Sequence, residues 1–375
     1  MKPINRRQWI KNAGLSGSLA ILGGIPSFKA KSISDRTYSV PLHNRDGIIR
    51  LSSNENPYGP SPVVREALKR SFDDACRYPW SYAGKLIEAI AAKEGVGTDM
   101  IVLTGGSTEG LKITGLNYGL GGGEIIAADP TFQALLSYSE EYGAYVHRVP
   151  LNSEMQHDLP EMEKKITGNT RLIFLCNPNN PTGTLLPGDQ VKEFCVRNSS
   201  KTMVFSDEAY YDYITEPGYP SMVSLVKEGL NVIVSRTFSK VYGLAGLRIG
   251  YLIARPDIAR RLRDRVVAFT NVLGMEAALA ALEDQDFYRF SLRKNEEAKT
   301  FLYENFDNMG LQYIPSHSNF VFFHTGRNIS TLIRDMRDRG VLIGRPFPPH
   351  MDWCRISTGT MEDMEHFIGG LKAVL

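Results

Sequence analysis

The chain has 375 residues, 42% of them hydrophobic and 22% charged, which excludes a disordered or fibrous protein and suggests roughly two or three folded domains. Forty-three Lys and Arg against 41 Asp and Glu leave a net charge of +2, so no global field draws in nucleic acid. Cys76, Cys176, Cys195 and Cys354 have neither a zinc spacing nor a disulfide framework and are expected to be isolated buried thiols.

The N-terminus reads Asn5-Arg6-Arg7-Gln8-Trp9-Ile10-Lys11 and carries no further charge until Lys29. The intervening AGLSGSLAILGGIP, residues 13–26, is modestly apolar. A charged start before a short apolar stretch is the pattern of an export signal. The paired arginines, Trp9-Ile10 and Lys11 resemble a twin-arginine signal, although Asn5 and Trp9 depart from its usual text. Phe28-Lys29-Ala30 does not supply a small-x-small cleavage site. Residues 1–40 are therefore expected to direct the protein to the periplasm. Residues 41–60, rich in Pro and Asn, are expected to be an ordered arm rather than a strand. No apolar run after residue 40 is long enough to span a bilayer.

From residue 100 to 254, short apolar runs alternate with helical stretches. The runs are Ile101–Thr104, Glu124–Ala128, Tyr145–Val149, Leu172–Cys176, Met203–Ser206, Val232–Ser235 and Ile249–Ala254. They are bounded by Gly, Pro, Asp or Asn, the signature of an α/β domain with a mostly parallel, doubly covered sheet. Residues 61–255 are assigned to this large domain. Residues 256–375 turn to charged helical sequence with strand-like pieces at Ser318–Phe323 and Cys354–Ser357, and are assigned to a smaller α+β domain.

Nearly every run stops at residues with chemistry, where ligands gather in such sheets. Ile101–Thr104 stops at Gly105-Gly106-Ser107-Thr108-Glu109, a glycine turn into a helix N-terminus that can receive an anion. Met203–Ser206 stops at Asp207-Glu208-Ala209-Tyr210. Val232–Ser235 stops at Arg236-Thr237-Phe238-Ser239-Lys240, with Arg248 eight residues on. A helix N-terminus, Thr237, Ser239 and Arg248 would hold a phosphate dianion. Asp207 would suit a protonated ring nitrogen. Lys240, among cations, would have a depressed pKa and act as a nucleophilic amine. Together they describe a site for pyridoxal 5'-phosphate. Each residue alone has a bland alternative, such as a helix cap or a solvated lysine; at successive strand ends the combination points to a site.

Four motifs carry a family resemblance over roughly residues 45–375: SSNENPYGPSP (52–62), CNPNNPTG (176–183), SDEAY (206–210) and SRTFSKVYGLAGLRIGY (235–251). They resemble the fold type I, class I/II pyridoxal-phosphate aminotransferases, and within them the histidinol-phosphate aminotransferase group. The resemblance implies a seven-stranded sheet sandwiched by helices. It implies that Lys240 holds the cofactor covalently and moves protons, and that Asp207 keeps the ring nitrogen protonated. Asn177 and Tyr210 would hydrogen-bond the ring hydroxyl, and Phe132 would stack on the ring. Ser107 and Thr108, with Ser239 and Arg248, would hold the phosphate. Tyr78 would reach the partner subunit's phosphate, implying a homodimer with shared sites. Arg355, Tyr58 and Asn177 would contact substrate.

Arg345 is near the family's reader of a substrate phosphate but displaced, with Gly344 at that place. The expectation is therefore that Arg345 matters little. An unphosphorylated amino acid, aromatic given Tyr58 and Phe132, is expected to be a better amino donor than histidinol phosphate, with a 2-oxo acid as acceptor. Export argues the same way. The alternatives are a decarboxylase or lyase on the same scaffold, and a non-catalytic sensor domain. The last needs a DNA-binding module, and the residues before the arm carry no helix-turn-helix pattern.

Overall fold

The computed structural model describes residues 47–375; the expected signal segment and residues 41–46 lie outside the described residues. The arm does contain a strand, against expectation. β1 (Ile49–Arg50) pairs in parallel with β11 (Val341–Leu342). A two-residue pairing across almost 300 residues leaves no periodicity in the sequence.

The next seven strands are the seven apolar runs. They are β2 (Ile101–Thr104), β3 (Glu124–Asp129), β4 (Tyr145–Pro150), β5 (Thr170–Cys176), β6 (Met203–Asp207), β7 (Val232–Thr237) and β8 (Gly250–Ile253). They form one sheet in the order β2-β8-β7-β6-β5-β3-β4. β8 is antiparallel to both neighbours, and the other neighbouring pairs are parallel.

Alternate residues of each strand point to opposite faces. Ile126, Ile173, Val204 and Val234 join one apolar cluster; Ile125, Phe174, Phe205 and Ile233 join another. Both faces are therefore covered, which is why the strands read as continuous apolar runs. The helices Ala83–Glu94 and Gly188–Ser199 contribute to the first cluster, and Ser107–Gly119 and Ala134–Glu141 to the second.

Two helices beyond residue 255 also pack against this sheet. Ile258, Ala259 and Leu262 of Pro256–Arg263 belong to the second cluster, and Met275, Ala278 and Ala281 of Val272–Glu283 to the first. The smaller core begins on the long helix Gln285–Asn308, with Ala298, Leu302 and Phe306, and includes Leu51 of the arm. There, β10 (Phe320–His324) lies between β9 (Tyr313–Ile314) and β12 (Trp353–Ser357), antiparallel to both. The last helix, Met361–Lys372, starts at a capping box of Thr360 and Asp363, a device that contributes about 1 kcal/mol.

Cys176, Cys195 and Cys354 are buried free thiols as expected, whereas Cys76 is exposed. No helix among the described residues is long and apolar enough to cross a membrane.

Candidate active site

Cys176 pairs with Asp207, so β5 and β6 end level, and β7, whose Ser235 pairs with Asp207, runs on to Thr237. The residues that follow share one sheet edge. They line a cavity of about 470 Å³, together with Ser52 to Glu55 of the arm and Arg345 and Arg355 of the C-terminal segment. Ser107, Thr108, Phe132, Asp207, Tyr210, Ser239, Lys240 and Arg248 all line it, so most of the expected site residues converge.

One end of the cavity has the donors to receive a phosphate. The helix Ser107–Gly119 opens at Gly106 without a side-chain cap, leaving its first N–H groups for a ligand. Gly106 has φ 82°, and a Cβ there would lie 2.4 Å from Arg248 Nη2. At Gly250 a Cβ would lie 2.7 Å from Ser107 N. Only glycine permits these approaches. Arg248 donates through Nη1 to Ala245 O at 2.9 Å and through Nη2 to Gly105 O at 3.3 Å. Thr237 does not line the cavity. Its hydroxyl donates to Ser239 Oγ at 3.0 Å and accepts from Ser239 N at 3.1 Å, so it orients Ser239 instead.

Asp207 is 2% exposed, and its Oδ1 has no hydrogen-bond partner among the described residues. Burial pushes its carboxyl up to about 7, despite the nearby Ala209 backbone and Ser235 hydroxyl, which favour the charged form. A buried acceptor without a partner is costly, and a protonated ring nitrogen satisfies it. Phe132 supplies an aromatic face. Tyr210 OH accepts from Asn54 Nδ2 at 2.9 Å and from Asn180 Nδ2 at 3.3 Å. Lys240 Nζ lies 5.4 Å from the Tyr210 ring centroid and donates to Asn54 O at 3.1 Å. Burial first, then Arg355, pulls the Lys240 amine down to about 8. The unpartnered acid, the uncapped helix and this amine fit pyridoxal phosphate.

Asn177 is not part of this wall. Its Oδ1 accepts from Leu186 N at 2.9 Å and its Nδ2 donates to Tyr219 OH at 2.6 Å. Both ends of the carboxamide are therefore engaged in bracing the turn after β5. The carboxamide that reaches the cavity is Asn180, three residues on in the same motif. Both asparagines follow the strand, and only the path of the turn decides between them.

At the substrate end, Arg355 is 8% exposed. It donates through Nη1 to Asn180 Oδ1 and through Nη2 to Ser52 O, both at 2.7 Å. Its Nε has no partner among the described residues. Burial, with Arg345 nearby, pulls the guanidinium down to about 10. Arg345 lies 4.3 Å from the Phe347 ring and lines the same cavity. It does not point away, as its displaced place in the sequence suggested. Tyr58 lines a separate cleft and packs edge-on against Phe290, 5.0 Å between ring centroids. Tyr78 is 77% exposed, lies beside Trp80 and does not line the cavity of its own chain.

Sheet order, cofactor cradle and acid–amine pair together define a fold type I pyridoxal-phosphate enzyme. Residues 46–371 match the family described as aminotransferase class I and II, and the chain belongs to that family. It is a pyridoxal-phosphate-dependent aminotransferase. It is 40% identical to a histidinol-phosphate aminotransferase of Moorella thermoacetica, over 88% of this chain and 86% of that one. It is 35% identical to another of Halalkalibacterium halodurans, over 94% and 95%. The solved histidinol-phosphate aminotransferase of Sinorhizobium meliloti in complex with pyridoxal-5'-phosphate superposes with a TM-score of 0.80 at 26% identity, covering 87% of this chain and 92% of that one.

Proposed function

We propose that this aminotransferase takes as amino donor a primary amine bearing a phosphate, histidinol phosphate or a close analogue, and a 2-oxo acid as acceptor. The observation that carries this is the convergence of Arg355 and Arg345 on the wall of the Lys240 cavity. Two guanidinium groups suit a phosphate dianion, and one also suits the carboxylate of the acceptor. The names of the relatives support the same donor. This revises the expectation of an unphosphorylated aromatic donor, which rested on Arg345 pointing elsewhere, on Tyr58 and Phe132, and on export.

When bound, the cofactor supplies an electron sink for charge developing at the amino-bearing carbon. The residues of the chain do the rest. Ser107 and Thr108 N–H groups, Ser239 and Arg248 hold the phosphate end. Phe132 packs on the ring. Asp207 keeps the ring nitrogen protonated. Asn180 and Tyr210 hold the ring hydroxyl. Lys240 Nζ, pulled toward neutrality at about 8, would take the proton from the amino-bearing carbon and hold it for return in the second half of the transfer.

The working unit is a homodimer. Tyr78, Trp80, Val267 and Phe269 are all well exposed, and Trp80 and Phe269 stand 4.4 Å apart between ring centroids. A contiguous exposed apolar patch of this kind marks a subunit interface, and it carries the tyrosine assigned to the partner's phosphate. Within each chain, we place the boundary between the larger and smaller domains on the helix Gln285–Asn308. The Arg6-Arg7 segment is assigned to export. Replacing both arginines by lysine should retain the protein in the cytoplasm, and cytoplasmic wild-type protein contradicts the assignment.

The test of the reaction is incubation with histidinol phosphate, or with free amino acids, plus a 2-oxo acid. A new amino acid formed fastest with histidinol phosphate is expected. Release of carbon dioxide, or a preference for unphosphorylated donors, contradicts the proposal.

A further inference from the structure

Asn54 is 1% exposed and has φ 53°, in the left-handed region. Asparagine tolerates that conformation better than other side-chain-bearing residues. It sits where the arm leaves the smaller core: Leu51 N donates to Leu342 O at 2.8 Å, and Ser357 N donates to Leu51 O at 3.0 Å. Every polar group of Asn54 is used across this junction. Its N donates to Ser357 Oγ at 2.8 Å, and Ser357 Oγ donates back to Asn54 Oδ1 at 2.9 Å. Its Nδ2 donates to Tyr210 OH at 2.9 Å. Its carbonyl accepts from Lys240 Nζ at 3.1 Å and from Asn319 Nδ2 at 3.0 Å.

We propose that Asn54 is a positioning residue that ties the substrate-reading strand to the catalytic lysine. β12 carries Arg355 and Ser357 two residues apart, hence on one face of the strand. Ser357 fixes Asn54 from the side of the smaller core; Asn54 in turn fixes Lys240 through its carbonyl and Tyr210 through its amide. An anion seated on Arg355 is thereby coupled to the position of the amine that moves the proton. The left-handed backbone aims the carbonyl at Lys240, while the side chain serves the two hydroxyls. The inference rests on Lys240 as the cofactor-bearing lysine.

The charged and titratable groups acting on Lys240 are Arg355, Glu55, Asp207 and Arg248, with the Tyr210 phenol beside it. The hydrogen bond from Asn54 strengthens Tyr210 as a donor toward the ring oxygen. Loss of that bond should raise the pH at which the visible absorbance of the bound cofactor titrates.

Asn54→Gly keeps the left-handed backbone and the carbonyl and removes both side-chain ties. In the cofactor-loaded protein we expect kcat to fall about 10- to 100-fold, with KM for the donor changed less than about threefold. The titration midpoint should rise by about half a pH unit or more. Ser357→Ala, which removes only the tie to β12, should shift the midpoint the same way by less, and it serves alone if Asn54→Gly does not fold. An unmoved midpoint in the folded variants overturns the inference, even if kcat falls, because general loosening of the site would do that. Mapping the borohydride-trapped cofactor in wild-type protein separates this outcome from failure of the Lys240 assignment.

Discussion

Arg355 and Tyr210 share one carboxamide: Asn180 Oδ1 accepts from Arg355 Nη1 at 2.7 Å, and Asn180 Nδ2 donates to Tyr210 OH at 3.3 Å. The group proposed to read the substrate anion and the group proposed to lie beside the cofactor ring are thus held by the same side chain.

Asn180→Ala should lower kcat/KM by about 10- to 100-fold, the worth of one hydrogen bond to a charged group. Asn177→Ala should instead cost about 1–3 kcal/mol of stability, because Leu186 N is buried and loses its acceptor, with kcat/KM of the folded enzyme little changed. Steady-state kinetics beside thermal unfolding distinguishes the two. Equal catalytic losses would mean that Asn177 also serves the ring.

Asp207 predicts a pH-dependent instability of the cofactor-free protein. Burial raises its folded pKa from the ordinary 3.8 to about 7. Below about pH 4 both folded and unfolded chains are protonated, and the full stability is kept. As pH rises toward 7 the unfolded chain gives up its proton first, and stability falls. A neutral amide at this position carries no such cost, so relative to wild type, Asp207→Asn should gain on the order of 2–4 kcal/mol between pH 4 and pH 8. The same variant should keep cofactor and lose most turnover. A stability difference that does not change with pH contradicts this account.

The arginine pair is proposed to set the donor. Arg355→Lys loses the planar fork and should weaken transition-state binding by about 2–5 kcal/mol for every anionic substrate. Arg345→Ala should hurt histidinol phosphate more than an unphosphorylated donor. The ratio of the two specificity constants is the readout; a ratio unchanged in Arg345→Ala removes Arg345 from phosphate recognition.

Tyr78 can be tested by subunit exchange. Tyr78→Ala and Lys240→Ala are each expected to be nearly inactive. Mixed dimers would hold one site with neither defect, restoring up to roughly a quarter of wild-type activity. No recovery after verified exchange, or a monomer in solution, contradicts the shared-site arrangement.

Much of this was legible in the sequence because the chemistry sits at strand ends. Strands buried on both faces read as apolar runs; Asp207 ends one of them, Ser239 and Lys240 come just after another, and Arg248 just before a third. What escaped depends on long-range geometry. Asn54 meets Tyr210, Lys240 and Ser357 at separations of 156, 186 and 303 residues, and no local pattern announces such contacts. Asn177 and Asn180 stand in the same motif, and only the turn distinguishes them. The charged text after residue 255 suggested a new domain, yet the apolar faces of Pro256–Arg263 and Val272–Glu283 are buried against the large sheet. Arg345 was discounted for its shifted place in the sequence, but its loop carries it to the cavity.

Lys240 bears the weight of the account. Its amine, buried and pulled down to about 8 beside Tyr210, is the group proposed to carry cofactor. Purified protein reduced with borohydride and digested should yield a single labelled peptide with the cofactor on Lys240, and Lys240→Ala should lose both the reducible chromophore and nearly all amino transfer. Cofactor trapped on a different lysine, or amino transfer persisting in Lys240→Ala, would contradict it.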